Sequence, residues 1–254
     1  MRRLFLSDVH LSPREPGRTE RLLRFLRREA PRADEIYILG DLFDYWIGPK
    51  HLGLPDYREA LEALRDAARG RAVFFLIGNR DFYMRCGFEE ATGIRVLPGR
   101  TGRARRGSVG LYLNVPRCSR SGLDRVCLCH GDYLEGRTDR GFRIQEWIRS
   151  EEFERKFIRL PACIAKAMAG FYRWLSSRKP RRSCRISEAV LEAECRKGTD
   201  IIVCGHFHKP QTRTIEAGGR RMVLFVLGDW SGGESYLVED DGRWELQDGP
   251  AGGP

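Results

Sequence analysis

Five short motifs hold the residues able to do chemistry: Asp8-x-His10, Gly40-Asp41, Gly78-Asn79, His130-Gly131 and Gly205-His206-x-His208. Four of the chain's five histidines fall in them. Taken singly, Gly-Asp is an ordinary turn and a histidine after a strand an ordinary polar residue. Here each motif follows a short apolar run, which reads as a buried strand. Asp8 and His10 are two apart, so on an extended backbone they face the same side. A carboxylate and an imidazole side by side at the end of a buried strand are costly to bury alone, and a metal ion is the natural partner. Asp8, His10, Asp41, Asn79, His130, His206 and His208 offer seven donors, too many for one tetrahedral ion. Mixed imidazole, carboxylate and amide ligation suits Mn, Fe, Zn or Co better than Mg or Ca. With one carboxylate shared, two ions could sit about 3.5–4 Å apart, clamp a phosphoryl oxygen and turn bridging water into hydroxide near neutral pH. A phosphate ester or anhydride is the substrate such a site predicts.

The elements that must position these motifs alternate. Leu4 to Leu6, Glu35 to Leu39, Ala72 to Ile77, Val126 to Cys129 and Asp200 to Cys204 read as strands, with another at Met222 to Leu227 before Gly228-Asp229-Trp230. Residues 17–29 read as an amphipathic helix ended by Pro31, with Leu22, Leu23, Phe25 and Leu26 on one side. Asp56 is expected to cap a helix that runs to about Arg69 and stops at Gly70. Residues 94–115 read as shorter strands around a basic turn, Arg100 to Arg106, and 235–246 as a closing hairpin. This alternation predicts an α/β protein with its site at the carboxyl ends of strands. Between Glu135 and Ser187 the period changes: Ile144, Trp147, Ile148, Phe157, Leu160, Ile164, Met168, Phe171 and Leu175 recur at helical spacing, with Pro161 in a first turn or at a break. A helical insertion at about 136–187, inside a single domain of residues 1–249 with a flexible tail at 250–254, is the expected organisation.

The chain has 254 residues and a formal charge of +10, from 45 Lys and Arg against 35 Asp and Glu. That balance favours anionic partners such as phosphate esters, nucleic acid or an acidic lipid surface. No stretch approaches the ~18 apolar residues of a membrane span, and Met1-Arg2-Arg3 runs straight into the first strand, so no signal peptide is expected ahead of the fold. The eight cysteines form no Cys-x-x-Cys pair and read as small buried residues in a reducing cytoplasm.

The five motifs, in this order, resemble those of the calcineurin-like metallophosphoesterases. The resemblance implies an α/β four-layer αββα sandwich. It also implies that Asp8, His10 and His208 hold one ion, that Asn79, His130 and His206 hold the other, and that Asp41 bridges them. A narrower resemblance rests on Gly78-Asn79-Arg80-Asp81-Phe82, with Arg80 where most of the superfamily has His. It rests also on Gly40-Asp41-Leu42-Phe43-Asp44-Tyr45-Trp46-Ile47-Gly48, His206-Phe207-His208-Lys209-Pro210 and Leu227-Gly228-Asp229-Trp230. These are similar to the UDP-2,3-diacylglucosamine diphosphatase family of lipid A biosynthesis, which also has a helical insertion after its His-Gly-Asp motif. That family splits the pyrophosphate of the acylated UDP-sugar into UMP and 2,3-diacylglucosamine 1-phosphate, usually with manganese. For this chain it implies two divalent ions, most readily Mn2+, and a cytoplasmic enzyme peripherally associated with the inner membrane.

On that resemblance Asn79, Arg80 and His206 are the expected catalytic residues and, with Asp139, Arg173, Ser177 and Lys179, the expected substrate contacts. Ser176 is an equal alternative to Ser177. In the His130-Gly131-Asp132 segment, Tyr133 replaces a small polar residue of the family. The apolar stripe of the insertion either lines a slot for acyl chains or packs onto the core. Arg173, Lys179, Arg181 and Arg182 meet substrate phosphate or the acidic inner leaflet, or form a solvated loop. The rival substrate is another nucleotide or nucleic-acid phosphodiester. Single-strand binders interleave basic and stacking aromatic residues, and Arg100 to Arg106 contains no aromatic. Nucleic acid is therefore disfavoured, and no obligate protein partner is evident.

Overall fold

The computed structural model describes residues 1–81, 83–85, 87–97, 110–117, 122–136, 143–144, 147–178 and 185–249, leaving aside the side chains of 151 and 172–178. Its strands are β1 (Arg2–Leu6), β2 (Glu35–Ile38), β3 (Ala72–Phe75), β4 (Arg95–Val96), β5 (Leu111–Pro116), β6 (Leu123–Leu128), β7 (Ile201–Cys204), β8 (Gln211–Ala217), β9 (Arg220–Val226), β10 (Glu234–Asp240) and β11 (Arg243–Gly249). The helices are α1 (Pro16–Glu29), α2 (Arg58–Ala68), α3 (Phe88–Thr92), α4 (Glu151–Phe157), α5 (Ala162–Arg178) and α6 (Glu188–Arg196).

One sheet has the order β11-β10-β1-β2-β3-β4 and the other β5-β6-β7-β9-β8. Strands β1 to β4 run parallel, as do β6, β7 and β9, so within each sheet the motif-bearing strand ends lie on one side. The period-2 alternation of the strands sorts the core into layers. Leu4, Leu6, Ile36, Ile38, Val73 and Phe75 share a cluster with Leu22 and Phe25 of α1 and Leu61 and Leu64 of α2. Phe5, Tyr37 and Leu39 meet Val126, Leu128, Val203 and Phe225 between the sheets. Cys127, Cys129, Ile202, Cys204 and Met222 pack with Leu191 and Cys195 of α6. Helix, sheet, sheet, helix is the αββα sandwich.

Local departures from the sequence reading have physical causes. Asp56 makes no capping bond: a 3-10 turn at Pro55–Tyr57 leads into α2, whose first residue is Arg58. Helices α3 and α6 and strand β8 are additional elements. Cys127, Cys129, Cys195 and Cys204 are buried, but Cys163 is exposed on α5. The expected basic turn at 100–106 and the tail at 250–254 lie outside the described residues.

The insertion is held by a few polar clasps. Ser150 caps α4 by accepting from the Phe153 amide at 3.3 Å, and Pro161 separates α4 from α5. Arg149 pairs with Asp132, Lys50 donates to the Ile158 carbonyl, Tyr83 Oη donates to the Ile148 carbonyl at 2.8 Å and Arg85 Nη1 reaches Glu154 Oε2 at 3.1 Å. The apolar stripe divides. Phe157 is buried and Ile148 and Leu160 pack against the helix-side core, joined there by Phe153, Ala165 and Ala169 from outside the stripe. Ile144, Trp147, Ile164, Met168 and Phe171 are exposed, Phe171 by 62%. Leu175 has no described side chain.

Candidate metal centre

The ends of β1, β2 and β3 in one sheet and of β6 and β7 in the other converge, and the seven candidate donors meet there. His208 Nε2 lies 3.4 Å from Asp8 Oδ1 and 3.3 Å from His10 Nε2, and His10 Nε2 lies 3.8 Å from Asp8 Oδ1. Across the cluster, Asn79 Oδ1 lies 3.0 Å from His130 Nε2 and 2.8 Å from His206 Nδ1. Asp41 spans the two halves: Oδ1 is 3.6 Å from His130 Nε2 and Oδ2 is 4.0 Å from His10 Nδ1. Asp8, His10 and His208 form one compact donor group, and Asp8, Asp41 and His130 another.

The donor chemistry fits cations. His130 Nδ1 faces the Leu39 carbonyl at 2.9 Å and must donate to it, which leaves a lone pair on Nε2. That lone pair points at Asn79 Oδ1, whose amide is oriented by Nδ2 donating to Asp41 Oδ2 at 3.1 Å. Acceptor therefore faces acceptor. His206 repeats the conflict: Nε2 faces Glu135 Oε1 at 2.7 Å, and Nδ1 faces the same Asn79 oxygen. His10 Nδ1 is buried without a hydrogen-bonding partner. A cation among these lone pairs removes each conflict, and divalent ions are the groups that such imidazole, carboxylate and amide donors hold.

Backbone conformation points to the same place. Among the described residues six non-glycine residues have positive φ: Asp8 (54°), His10 (53°), Asp41 (53°), His206 (71°), His208 (59°) and Asp241 (47°). Five are candidate ligands. Left-handed backbone at histidine or aspartate is uncommon and persists where the surroundings over-determine it. Two glycines admit the close approach: a Cβ on Gly78 would strike the Asp41 carboxylate, and one on Gly205 would strike the Asp8 carboxylate and the Ser7 hydroxyl. Asp81, which sequence reading left without a role, braces the Asp41 turn. Its carboxylate accepts from the amides of Asp41 (3.1 Å), Gly78 (3.1 Å), Leu42 (2.7 Å) and Phe43 (3.3 Å).

The field within the cluster is uneven. Burial pushes the Asp8 carboxyl up, but His208 and the charges of His130 and His10 outweigh it and hold the group below the usual carboxylate range. His10 is lowered, chiefly by burial. Burial also lowers His208, but Asp8 and Asp229 more than restore it, so it ends above the usual imidazole value. Asp132 is buried too, yet Arg149 brings it down to about 2.

Calcineurin-like phosphoesterase is the family whose model matches residues 1–210. The chain belongs to that family. Proteins named UDP-2,3-diacylglucosamine hydrolase are similar along nearly the whole length. The one from Stenotrophomonas maltophilia is 34% identical over 262 residues, covering 97% of this chain and 98% of that protein. That from Xanthomonas campestris pv. campestris is 36% identical over 259 residues, covering 95% and 97%. The Coxiella burnetii protein is 32% identical over 250 residues, covering 96% of each.

Arg80 borders the cluster of this calcineurin-like site. Its amide donates to Asp41 Oδ1 at 2.9 Å, its Nη1 donates to Asp44 Oδ1 at 2.9 Å, and its side chain remains 31% exposed. Of the remaining expected substrate contacts, Asp139 and Lys179 lie outside the described residues. Arg173 and Ser177, like the alternative Ser176, fall on α5 where side chains are not described. Sequence reading missed Glu135, the partner of His206; its only signal is its place one short turn after His130-Gly131-Asp132.

Proposed function

We propose that the chain hydrolyses the pyrophosphate of UDP-2,3-diacylglucosamine to UMP and 2,3-diacylglucosamine 1-phosphate. It would use two divalent cations, most readily Mn2+, held by Asp8, His10, Asp41, Asn79, His130, His206 and His208. One observation carries the substrate assignment: the similarity to proteins of that name extends over 95–97% of the chain, insertion included. Bound there, the cations supply Lewis-acid charge and a hydroxide nucleophile near neutral pH. The chain's own residues do the rest. Asn79 and the Arg80 guanidinium face the phosphate in flight and stabilise its growing charge. Arg80 grips phosphate bidentately and cannot surrender a proton. UMP needs less protonation on leaving than an alkoxide, so a fixed cation suits this position.

The insertion belongs in the same reading. Exposed Ile144, Trp147, Ile164, Met168 and Phe171 lie among exposed Arg143, Arg155, Lys156, Arg159 and Lys166. Exposed apolar residues interspersed along the chain with cations, though Lys156 is paired with Glu152, suit the interface of an acidic leaflet, where a doubly acylated substrate resides. No helix among the described residues is long and apolar enough to cross a membrane; the association proposed here is a peripheral one.

The test compares UMP release from the acylated UDP-sugar, with Mn2+, against turnover of bis(p-nitrophenyl) phosphate and cyclic nucleotides. Preference for the acylated UDP-sugar by at least about 100-fold in kcat/KM, worth roughly 2.7 kcal/mol, is the expected result. Faster turnover of the soluble diesters overturns the assignment.

A further inference from the structure

We infer that Glu135 is a positioning residue for His206, fixing which ring nitrogen it turns toward the cluster. The inference rests on the two-cation reading and adds a residue that reading does not use. His206 Nε2 and Glu135 Oε1 are 2.7 Å apart, and both side chains are largely buried, 14% and 11% exposed. A carboxylate at that distance makes Nε2 the protonated nitrogen, so the lone pair sits on Nδ1. Nδ1 is the nitrogen that faces Asn79 Oδ1 and the cluster. The main chain of His206 is tied independently, its amide donating to Asp8 Oδ2 at 2.8 Å. Backbone and ring are thus fixed by separate carboxylates, and Glu135 supplies the ring restraint.

Glu135 is itself held in place. It ends the 3-10 turn Asp132–Glu135, which lies between Gly131 (φ 124°) and Gly136 (φ 66°). The Leu134 carbonyl accepts from the Ser187 amide at 2.8 Å, and Ser187 packs so closely on Gly136 that a Cβ there would sit 3.1 Å from it. The turn is therefore clamped to the start of α6, and the carboxylate presses on His206 from a fixed point. Imidazole ligands of metals donate their far N–H to such acceptors, which set the tautomer and the ring orientation and strengthen the donor. His130 has a neutral version of the same device, its Nδ1 donating to the Leu39 carbonyl at 2.9 Å. With Glu135 on His206, the two imidazoles that share Asn79 Oδ1 are each fixed from behind.

The test uses the full-length protein, stripped of metal and titrated with Mn2+ by calorimetry, alongside Glu135→Ala and Glu135→Gln. Wild type is expected to bind two equivalents. Glu135→Ala is expected to weaken one of them by about 10–100-fold, the usual range for an outer partner, and to leave the other within about 3-fold. Glu135→Gln, whose amide oxygen still accepts from Nε2–H, is expected to recover most of the loss. Long-range 1H–15N correlation spectra of the zinc-loaded proteins give a second readout: the Nε2–H tautomer of His206 in wild type and Gln, and a mixture in Ala. The spectrum serves also if the alanine variant is too unstable to titrate, since the Gln variant alone must then keep the tautomer. Unchanged affinities and an unchanged tautomer in Glu135→Ala overturn the inference while leaving the two-cation reading intact. Failure of wild type to bind any Mn2+ would instead overturn that reading.

Discussion

Two regions of this molecule are built on opposite terms. The donor cluster at the strand ends is fixed from every side: five of its residues take left-handed backbone, Asp81 braces its main turn with four amide bonds, and two glycines leave room for nothing larger. Among the described residues, the helical insertion is fixed by Phe157, Ala165 and their neighbours packed on the helix-side core and by separate polar clasps. Arg149 on Asp132, Lys50 on the Ile158 carbonyl, Arg85 on Glu154 and Tyr83 on the Ile148 carbonyl hold one side of it, and the other side shows apolar residues to solvent. The contrast separates the donor cluster from the segment we propose meets the acylated substrate. Bond breaking needs donors placed within about 0.5 Å, a demand that the proposed lipid-facing surface does not share.

The sharpest way to break the comparison is to remove a donor. In Asp41→Ala or His130→Ala the expected loss of turnover exceeds the ~100-fold upper end seen for outer-shell partners. The melting temperature should fall by only a few degrees, because each side chain sits in the cluster and outside the three apolar clusters. Assay of UMP release beside a thermal melt reads both. Near-wild-type turnover in either variant would show that the convergence is structural only.

Next in size is the clasp between the regions. Arg149 and Asp132 form a mostly buried pair, and removing one partner of such a pair leaves an uncompensated charge at a cost of about 3–5 kcal/mol. Arg149→Leu should therefore release the insertion locally. Amide exchange across α4 and α5 is expected to quicken by about 100-fold or more, while β1, β2 and β3 keep their protection. Equal loss of protection in both regions would mean that they form one cooperative unit and that the contrast is false.

The sequence announced these regions unequally. Each donor follows an apolar run that must be a strand, and a strand end in a parallel sheet is where a ligand binds, so sheet and site could be read together. The left-handed φ at Asp8 or His206 could not be read, since neither residue type demands it. Asp81 looked like one more acid in a motif, because a carboxylate that binds amides carries no pattern of its own. For the insertion, helical spacing told which residues were apolar and nothing about what covers them. Phe157 turned inward and Phe171 outward from the same stripe. The spacing also hid α3, which is only five residues long, α6, whose buried residues are only Leu191, Glu194 and Cys195, and β8, whose buried residues are confined to its far end.

A smaller effect tests the outward face. Trp147→Asp with Phe171→Asp replaces two large exposed apolar groups, each worth about 1.5–3 kcal/mol when buried. Flotation with vesicles containing phosphatidylglycerol should show at least tenfold weaker association. Turnover of bis(p-nitrophenyl) phosphate should be unchanged, since neither residue belongs to the cluster. Unchanged flotation would leave the exposed stripe without the role proposed for it.

The smallest effect comes from the fifth histidine, which lies where the regions touch. His51 is wholly buried against the rings of Phe43, Tyr45, Trp46 and Tyr57, and neither ring nitrogen has a hydrogen-bonding partner. Burial, with a lesser contribution from the Lys166 charge, takes it from the ordinary 6.5 down to about 3. The unfolded chain therefore binds a proton between pH 6.5 and 3 that the folded chain refuses. Stability falls as pH drops through that window, by about 1.4 kcal/mol per pH unit from this group, and the contribution is flat above it. His51→Phe removes the proton and suits the aromatic surroundings. Urea unfolding at pH 7 should change by no more than about 1.5 kcal/mol, the range for a swap of similar volume. Between pH 6 and pH 4 the variant should lose less stability than wild type by one proton's slope. An unaltered slope would mean that His51 is already charged in the fold, and that the joint between core and insertion is wetter than its packing implies.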